Sequence, residues 1–182
     1  MFEAMGLVET NSIPAGIEAG DAMLKAAQVE LVSAQAVCAG KYIVIIRGDV
    51  AAVKEAVAAG STAADRNLVK DMVIPNVHKQ VLGAIGCCNE ILNPQALGII
   101  ETFSIATAVL CADAAVKAAD IDLIEIRLGR GLGGKSFILL TGDVAATKFA
   151  VQAAIEEHKD SGLISRTAVI ASPHPDLMKS IM

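Results

Sequence analysis

The chain has 182 residues, of which 54% are hydrophobic and 19% charged, and its 15 basic and 20 acidic side chains give a net charge of −5. This apolar content can fill a core, and the length permits one medium domain or two small ones. The acidic balance and the scarcity of aromatic residues argue against a nucleic-acid partner, and no run of about twenty apolar residues is available to cross a membrane.

The first half of the chain alternates between strand and helix patterns. Residues 5–10 predict a short strand, and Ser12 is the predicted N-cap of a helix through Ala27. Two strands follow over residues 28–37 and 41–47, the second of which contains a β-branched run typical of a buried strand. Asp49 is predicted to cap a second helix that Gly60 closes in the left-handed conformation. A last strand at residues 72–75 completes the order βαββαβ.

The second half of the chain repeats the first. Gly-Leu-Val-Glu-Thr-Asn-Ser-Ile from residue 6 returns as Gly-Ile-Ile-Glu-Thr-Phe-Ser-Ile from residue 98, an offset of 92 that later grows to 94 and then 96. The prediction is therefore of two tandem, non-permuted domains, residues 1–88 and 95–182. Each is expected to be an α/β (α+β) sandwich with helices on one face of a mostly antiparallel sheet and a short C-terminal helix.

Four segments resemble the shell proteins of bacterial microcompartments. They are Lys-Ala-Ala at 25–27, Val-Cys-Ala-Gly-Lys at 37–41, Arg-Gly-Asp-Val-Ala-Ala-Val at 47–53 and Ile-Pro-Asn-Val-His at 74–78. The similarity extends nearly end to end in both copies and is to the tandem-domain T-type of propanediol-utilisation compartments. The resemblance implies a flat homotrimer, with six domains around a central pore, that tiles edge to edge with other shell proteins in the microcompartment shell.

The resemblance also implies roles for two turns and two lysines. The turn between the second and third strands lines the pore in this family, and the family's edge lysine packs against the neighbouring disc. The edge lysine corresponds to Lys25 and Lys117. The implied pore-lining residues are Val37, Ala39 and Gly40 in the first copy and Arg130, Gly131, Leu132 and Gly133 in the second.

Cys38 lies in the first of these turns, and one cysteine is too few for an iron–sulfur site. Threefold symmetry would bring three thiolates to one point. The resemblance implies that they hold one 4Fe-4S cluster per trimer, with electron transfer across the shell and redox enzymes of the lumen or cytosol as partners. The alternative is that Cys38 is a small apolar residue in a tight turn.

Residues 1–5 lack the features of a signal peptide, so the chain is expected in the cytosol with its cysteines reduced. The other three cysteines are interpreted as packing residues. The histidines that follow the last strand of each copy are expected to serve the fold. The first-strand glutamates are expected to act as capping or subunit-contact groups. The packing cysteines are Cys87, Cys88 and Cys111; the histidines are His78 and His174; the first-strand glutamates are Glu9 and Glu101.

Catalytic and cofactor motifs are missing from the sequence. The pattern G-x-G-x-x-G occurs at residues 129–134, but it precedes a predicted strand, whereas a dinucleotide site needs a helix there. No P-loop, zinc-protease or serine-hydrolase motif is present, so the chain is predicted not to be an enzyme.

Three alternatives remain for the function. The pore could be empty and thiol-lined, passing a small metabolite; the chain could be a trimeric ligand-binding regulatory protein; or it could be an electron carrier that does not tile. Iron content separates the empty pore from the cluster, and assembly into sheets argues against the regulatory protein.

Overall fold

A computed structural model describes residues 4–182 of the chain, which divide into two compact units, the first ending at Val77 and the second beginning at His78. The elements of the first unit are β1 Ala4–Thr10, α1 Ile13–Ala26, β2 Glu30–Val37, β3 Lys41–Gly48, α2 Val50–Ala64 and β4 Leu68–Ile74. Those of the second are α3 Lys79–Ile85, β5 Ala96–Thr102, α4 Ile105–Ala118, β6 Asp122–Arg127, β7 Ser136–Gly142, α5 Val144–His158, β8 Ile164–Ile170 and α6 Pro175–Ile181.

Each unit contains a four-stranded antiparallel sheet, and the two sheets have the same topology. The strand orders are β2-β3-β1-β4 and β6-β7-β5-β8. The predicted fold class is thereby confirmed: two tandem copies of βαββαβ without permutation, with short helices after the last strands. Among residues 4–182, no helix has the length and apolar character needed to span a bilayer.

The two long helices of the first unit pack on each other and on the sheet. Ser12 caps α1 as predicted, because its side chain accepts a hydrogen bond from the backbone N of Ala15. Ser104 caps α4 in the same way. Asp49 occupies the N-cap position of α2, but its side chain makes no capping hydrogen bond. At α5 the side chain of the N-cap residue Asp143 accepts a hydrogen bond from the backbone N of Ala146.

Helix α2 does not end at Gly60, so the prediction of a left-handed cap there is wrong. The helix continues to Ala64. A Cβ at Gly60 would lie 2.5 Å from Cγ and 2.8 Å from Sδ of Met23, a fully buried residue of α1. Glycine at position 60 therefore provides space for the neighbouring helix, and it does not terminate its own.

Strand β4 begins at Leu68, four residues before the predicted start at residue 72. The charged pair Lys70 and Asp71 concealed this part of the strand, since a polar pair interrupts the apolar pattern. Asp71 is only half-buried and accepts a hydrogen bond of 2.7 Å from Ser61 on α2. The strand is thus buried unevenly along its length, which explains why the pattern revealed only its last part.

Helix α3 follows the last strand of the first copy but lies within the second unit, against β6. Gln80 of α3 donates from Nε2 to Asp122, and its Oε1 accepts from the backbone N of Leu123. Asn89 donates from Nδ2 to the backbone oxygen of Leu123 at 2.8 Å. These bonds fasten α3 to an edge strand. The predicted domain limits, 1–88 and 95–182, describe copies of the repeat and stay a prediction.

Candidate functional site at the inter-strand turns

The first candidate site is the turn that joins β2 to β3. Val37 and Lys41 are register partners that close it, and Val37 is buried. Gly40 adopts a φ of +76°, a conformation that favours glycine, and no atom lies within 4 Å of the place a Cβ would take. The turn therefore has a fixed base and an open tip.

Cys38 lies at this tip and is half-buried. None of the four cysteines is in a disulfide. Across residues 4–182, no group of three or more His, Cys, Asp or Glu side chains is arranged to hold a metal ion. A soft thiolate donor on an accessible turn suits iron, but one chain supplies a single such ligand. A cluster at Cys38 therefore needs thiolates from other chains.

The second candidate site is the turn between β6 and β7. Four glycines in it have positive φ: Gly129, Gly131, Gly133 and Gly134. Arg130 is exposed at its tip, and the turn contains no cysteine. Lys135 is followed by strand β7 and not by a helix, so the G-x-G-x-x-G pattern lacks the helix N-terminus that a pyrophosphate requires. The strand that was predicted to follow the last glycine of this motif is confirmed.

An ion pair lies at the base of each turn. Lys41 Nζ is 2.7 Å from Glu9 Oε1, and Lys135 Nζ is 2.9 Å from Glu101 Oε2. The lysine and its hydrogen bond hold the pKa of Glu101 below its ordinary value, and a hydrogen bond from Ser165 adds to this effect. Neither glutamate caps a helix, so that part of the interpretation is wrong. Sequence reasoning missed these pairs because their members are 32 and 34 residues apart in the chain and meet only through strand pairing.

The two edge lysines occupy equivalent places at the ends of α1 and α4. Lys25 pairs with Asp21 at 2.6 Å, and Lys117 pairs with Asp113 at 2.5 Å. Asp113 also accepts a hydrogen bond from the backbone N of His78. Each pair joins side chains four residues apart on one helix, and the first is the more exposed of the two. Their role in tiling stays a prediction.

The remaining cysteines behave differently from one another. Cys111 is fully buried on α4, as expected, and burial raises the pKa of its thiol to about 12. Cys87 and Cys88 are exposed in the segment after α3, so their interpretation as packing residues is wrong. The helix ends at Ile85, and the chain turns there, with Cys87 at a φ of +53° and the backbone N of Cys88 bonded to the backbone oxygen of Gly83.

The expectation that His78 and His174 serve the fold is confirmed. Each is the N-cap of a short helix, α3 and α6 respectively. Nδ1 of His78 accepts a hydrogen bond from the backbone N of Gln80, and Nδ1 of His174 accepts one from the backbone N of Asp176.

Comparison with known proteins gives consistent results over the whole chain. The model of the BMC domain family matches residues 4–77 and 96–173. The chain is 40% identical over 182 residues to the bacterial microcompartment shell protein PduT of Citrobacter freundii, with 100% of this chain and 99% of that protein covered. It is 51% identical over 82 residues to the shell protein PduA of the same organism, which covers 43% of this chain and 87% of PduA.

A solved structure has the same fold over nearly the full length. It is the crystal structure of a microcompartment protein from Desulfitobacterium hafniense DCB, with a TM-score of 0.93 and 52% sequence identity. The alignment covers 98% of this chain and 99% of that one. Both copies of the repeat therefore have counterparts in that structure, and neither is an addition to it.

Proposed function

This chain belongs to the BMC domain family of bacterial microcompartment shell proteins, and from that premise we propose that it forms a homotrimer whose pore holds a 4Fe-4S cluster. It is a structural protein of the microcompartment shell. We assign it no catalytic role. The proposal has three parts: the trimer, the cluster and electron transfer across the shell.

The main support for the trimer is a difference in burial between equivalent surfaces of the two copies. Four apolar side chains of the first copy are 41–55% exposed: Ile13, Ile17, Leu24 and Leu31. Their equivalents in the second copy are at most 8% exposed: Ile105, Val109, Val116 and Leu123. The same surface is thus covered in one copy and uncovered in the other. Exposed apolar surface of this kind marks a contact site between proteins.

The short helices show the complementary difference. Val81 of α3 is fully buried, whereas its equivalent on α6, Leu177, is 44% exposed. Helix α3 covers the edge strand β6, and its counterpart α6 could cover the exposed strand β2 of another chain in the same way. This contact joins different surfaces of two chains head to tail, and such contacts form a closed ring when the rotation between neighbouring chains closes. Three chains supply the six domains that the resemblance implies.

The trimer makes Cys38 a reasonable cluster ligand. The thiol lies at an open turn tip, and each chain supplies one, so three chains on an axis supply three. The proposed pore is lined by two alternating turns, the first at residues 37–40 and the second at residues 130–133. A bound 4Fe-4S cluster would supply one-electron redox chemistry. Val37 and Gly40 would hold the thiol at the axis, and Arg130 would add positive charge nearby.

The trimer is tested by light scattering coupled to size exclusion. A trimer has three times the 18.7 kDa mass of the chain. Ile17→Asp should dissociate it, since the substitution places a charge on the uncovered surface. Leu92→Asp is the matched control, because Leu92 is exposed but lies outside that surface. A trimer that survives Ile17→Asp, or a wild-type monomer, contradicts the proposed contact.

The cluster is tested by iron and sulfide content, visible absorption and EPR on anaerobically prepared protein. Wild type should hold about four irons per trimer, Cys38→Ser should hold none, and Cys88→Ser should match wild type. Cys88 is the control because its thiol is exposed but lies outside both turns. If wild-type trimers bind no iron, the cluster proposal fails, and the protein is a shell tile with a thiol-lined pore for small metabolites.

A further inference from the structure

Glu9 and Lys41 are joined across two strands at the base of the Cys38 turn. Glu9 on β1 pairs with Ile43 on β3, so Lys41, two residues earlier on β3, lies diagonally across from it on the same face. Lys41 is also the residue that closes the turn by pairing with Val37. Its ammonium group lies 2.7 Å from Glu9 Oε1. One side chain therefore links the turn to the centre of the sheet.

Because Glu9 is buried, its carboxylate depends strongly on the contact with Lys41. Glu9 is 1% exposed, and its second oxygen, Oε2, has no hydrogen-bond partner among the described residues. A buried carboxylate that water cannot reach depends on its paired cation, because an uncompensated buried charge is strongly unfavourable. The Glu9 carboxylate therefore holds Lys41 in place, because Lys41 is the side chain that compensates its charge.

The second copy shows what a less dependent pair looks like. Glu101 has two partners, Lys135 at 2.9 Å and Ser165 at 2.7 Å, and its side chain is 37% exposed. The residue of the first copy that is equivalent to Ser165 is Val69, whose side chain cannot donate a hydrogen bond. The pair that depends on one contact is thus the pair beneath the turn that carries the cysteine.

From these contacts we infer that Glu9 is a positioning residue, which acts through Lys41 to hold the Cys38 turn and so fixes how the thiol is presented. The inference deepens the proposed function and rests on it where the cluster is concerned. The geometry of the turn can be measured without any cluster. Glu101 supplies the internal control, because it makes the same kind of pair beneath the turn without a cysteine.

The experiment compares Glu9→Gln with Glu101→Gln, both in a Cys87→Ser/Cys88→Ser background. Cys111 is buried, so alkylation of the reduced, cluster-free trimer then reports on Cys38. Glu9→Gln should raise the alkylation rate and the hydrogen exchange of amides 38–41 about tenfold, which corresponds to about 1.4 kcal/mol. Glu101→Gln should leave both unchanged. If Glu9→Gln fails to fold, Glu9→Met/Lys41→Met replaces the pair by apolar groups and carries the same expectation.

A second readout uses protein loaded with iron and sulfide. Glu9→Gln should bind the cluster with an altered EPR signal and midpoint potential, and Glu101→Gln should match the parent. Equal alkylation rates in all three proteins overturn the role of Glu9, whether or not iron binds. If the parent binds no iron but Glu9→Gln still loosens the turn, the cluster proposal fails and the positioning role stands.

Discussion

The contact between Gly60 and Met23 gives a sharp prediction about helix packing. Alanine at position 60 would place a Cβ 2.5 Å from Cγ of Met23, well inside contact distance. The equivalent positions of the second copy carry Ala154 and Ala115, both fully buried. The two copies therefore use different pairs at one helix crossing: glycine with methionine in the first, and alanine with alanine in the second.

The size of the effect follows from two opposing terms. Replacing a helical glycine by alanine stabilises the helix by about 1 kcal/mol. Overpacking a core costs about 1–3 kcal/mol, and Met23 is fully buried, so it has little room to move. We expect Gly60→Ala to lower the free energy of unfolding by about 1 kcal/mol. Met23→Ala alone leaves a cavity and should cost about 2–5 kcal/mol.

The double variant Met23→Ala/Gly60→Ala reproduces the pair of the second copy. Its cost should be less than the sum of the two single variants by about 1 kcal/mol or more, because the new Cβ partly fills the cavity. Urea unfolding followed by circular dichroism measures all four proteins at one protein concentration, since stability and assembly are linked. A Gly60→Ala protein as stable as wild type, or additive effects, would refute the packing argument.

Two further predictions concern the glutamates beneath the turns. In Val69→Ser the new hydroxyl can donate to Oε2 of Glu9, as Ser165 donates to Glu101. The free energy of unfolding, measured in urea, should rise by about 1 kcal/mol. An unchanged value means that the serine hydroxyl does not bond to Glu9. Ser165→Ala should raise the pKa of Glu101, which Lys135 first and Ser165 second hold below its ordinary value. The stability from this lowered pKa is present above the unfolded-state value and is lost as pH falls through the folded one, so NMR titration should show a higher midpoint in Ser165→Ala. An unchanged midpoint contradicts the role of Ser165.

Much of the fold could be predicted because local chemistry and the repeat gave the same answer. Ser12 precedes an apolar helical pattern, and the serine at residue 104 repeats it, so both caps were readable. The end of α2 could not be predicted, because glycine at position 60 is required by the side chain of Met23, which lies 37 positions earlier in the chain. The start of β4 was hidden by charged residues that the strand tolerates on its less buried part.

The candidate site was predictable only in part. The position of Cys38 in a turn follows from the two flanking strand patterns, and the structure has that turn. The ion pair beneath it joins residues 32 positions apart that meet only when β1 pairs with β3, and patterns within single elements do not include that pairing, so Glu9 was assigned a different role. The proposed cluster and trimer involve contacts between chains, which strand and helix patterns within one chain do not reveal.

The place of helix α3 sets the order in which the protein can fold during synthesis. The strands of the first sheet are complete at Ile74, but the strand that receives α3 ends at Arg127, about 40 residues after the helix itself. At about 5–20 residues per second, the ribosome needs a few seconds to supply that strand. During this interval the apolar side of α3, with Val81 and Ala84, has no binding surface of its own chain. Exposed apolar surface on an incomplete chain favours contacts with other chains, so this interval is the stage of synthesis at which α3 is open to exchange between nascent chains.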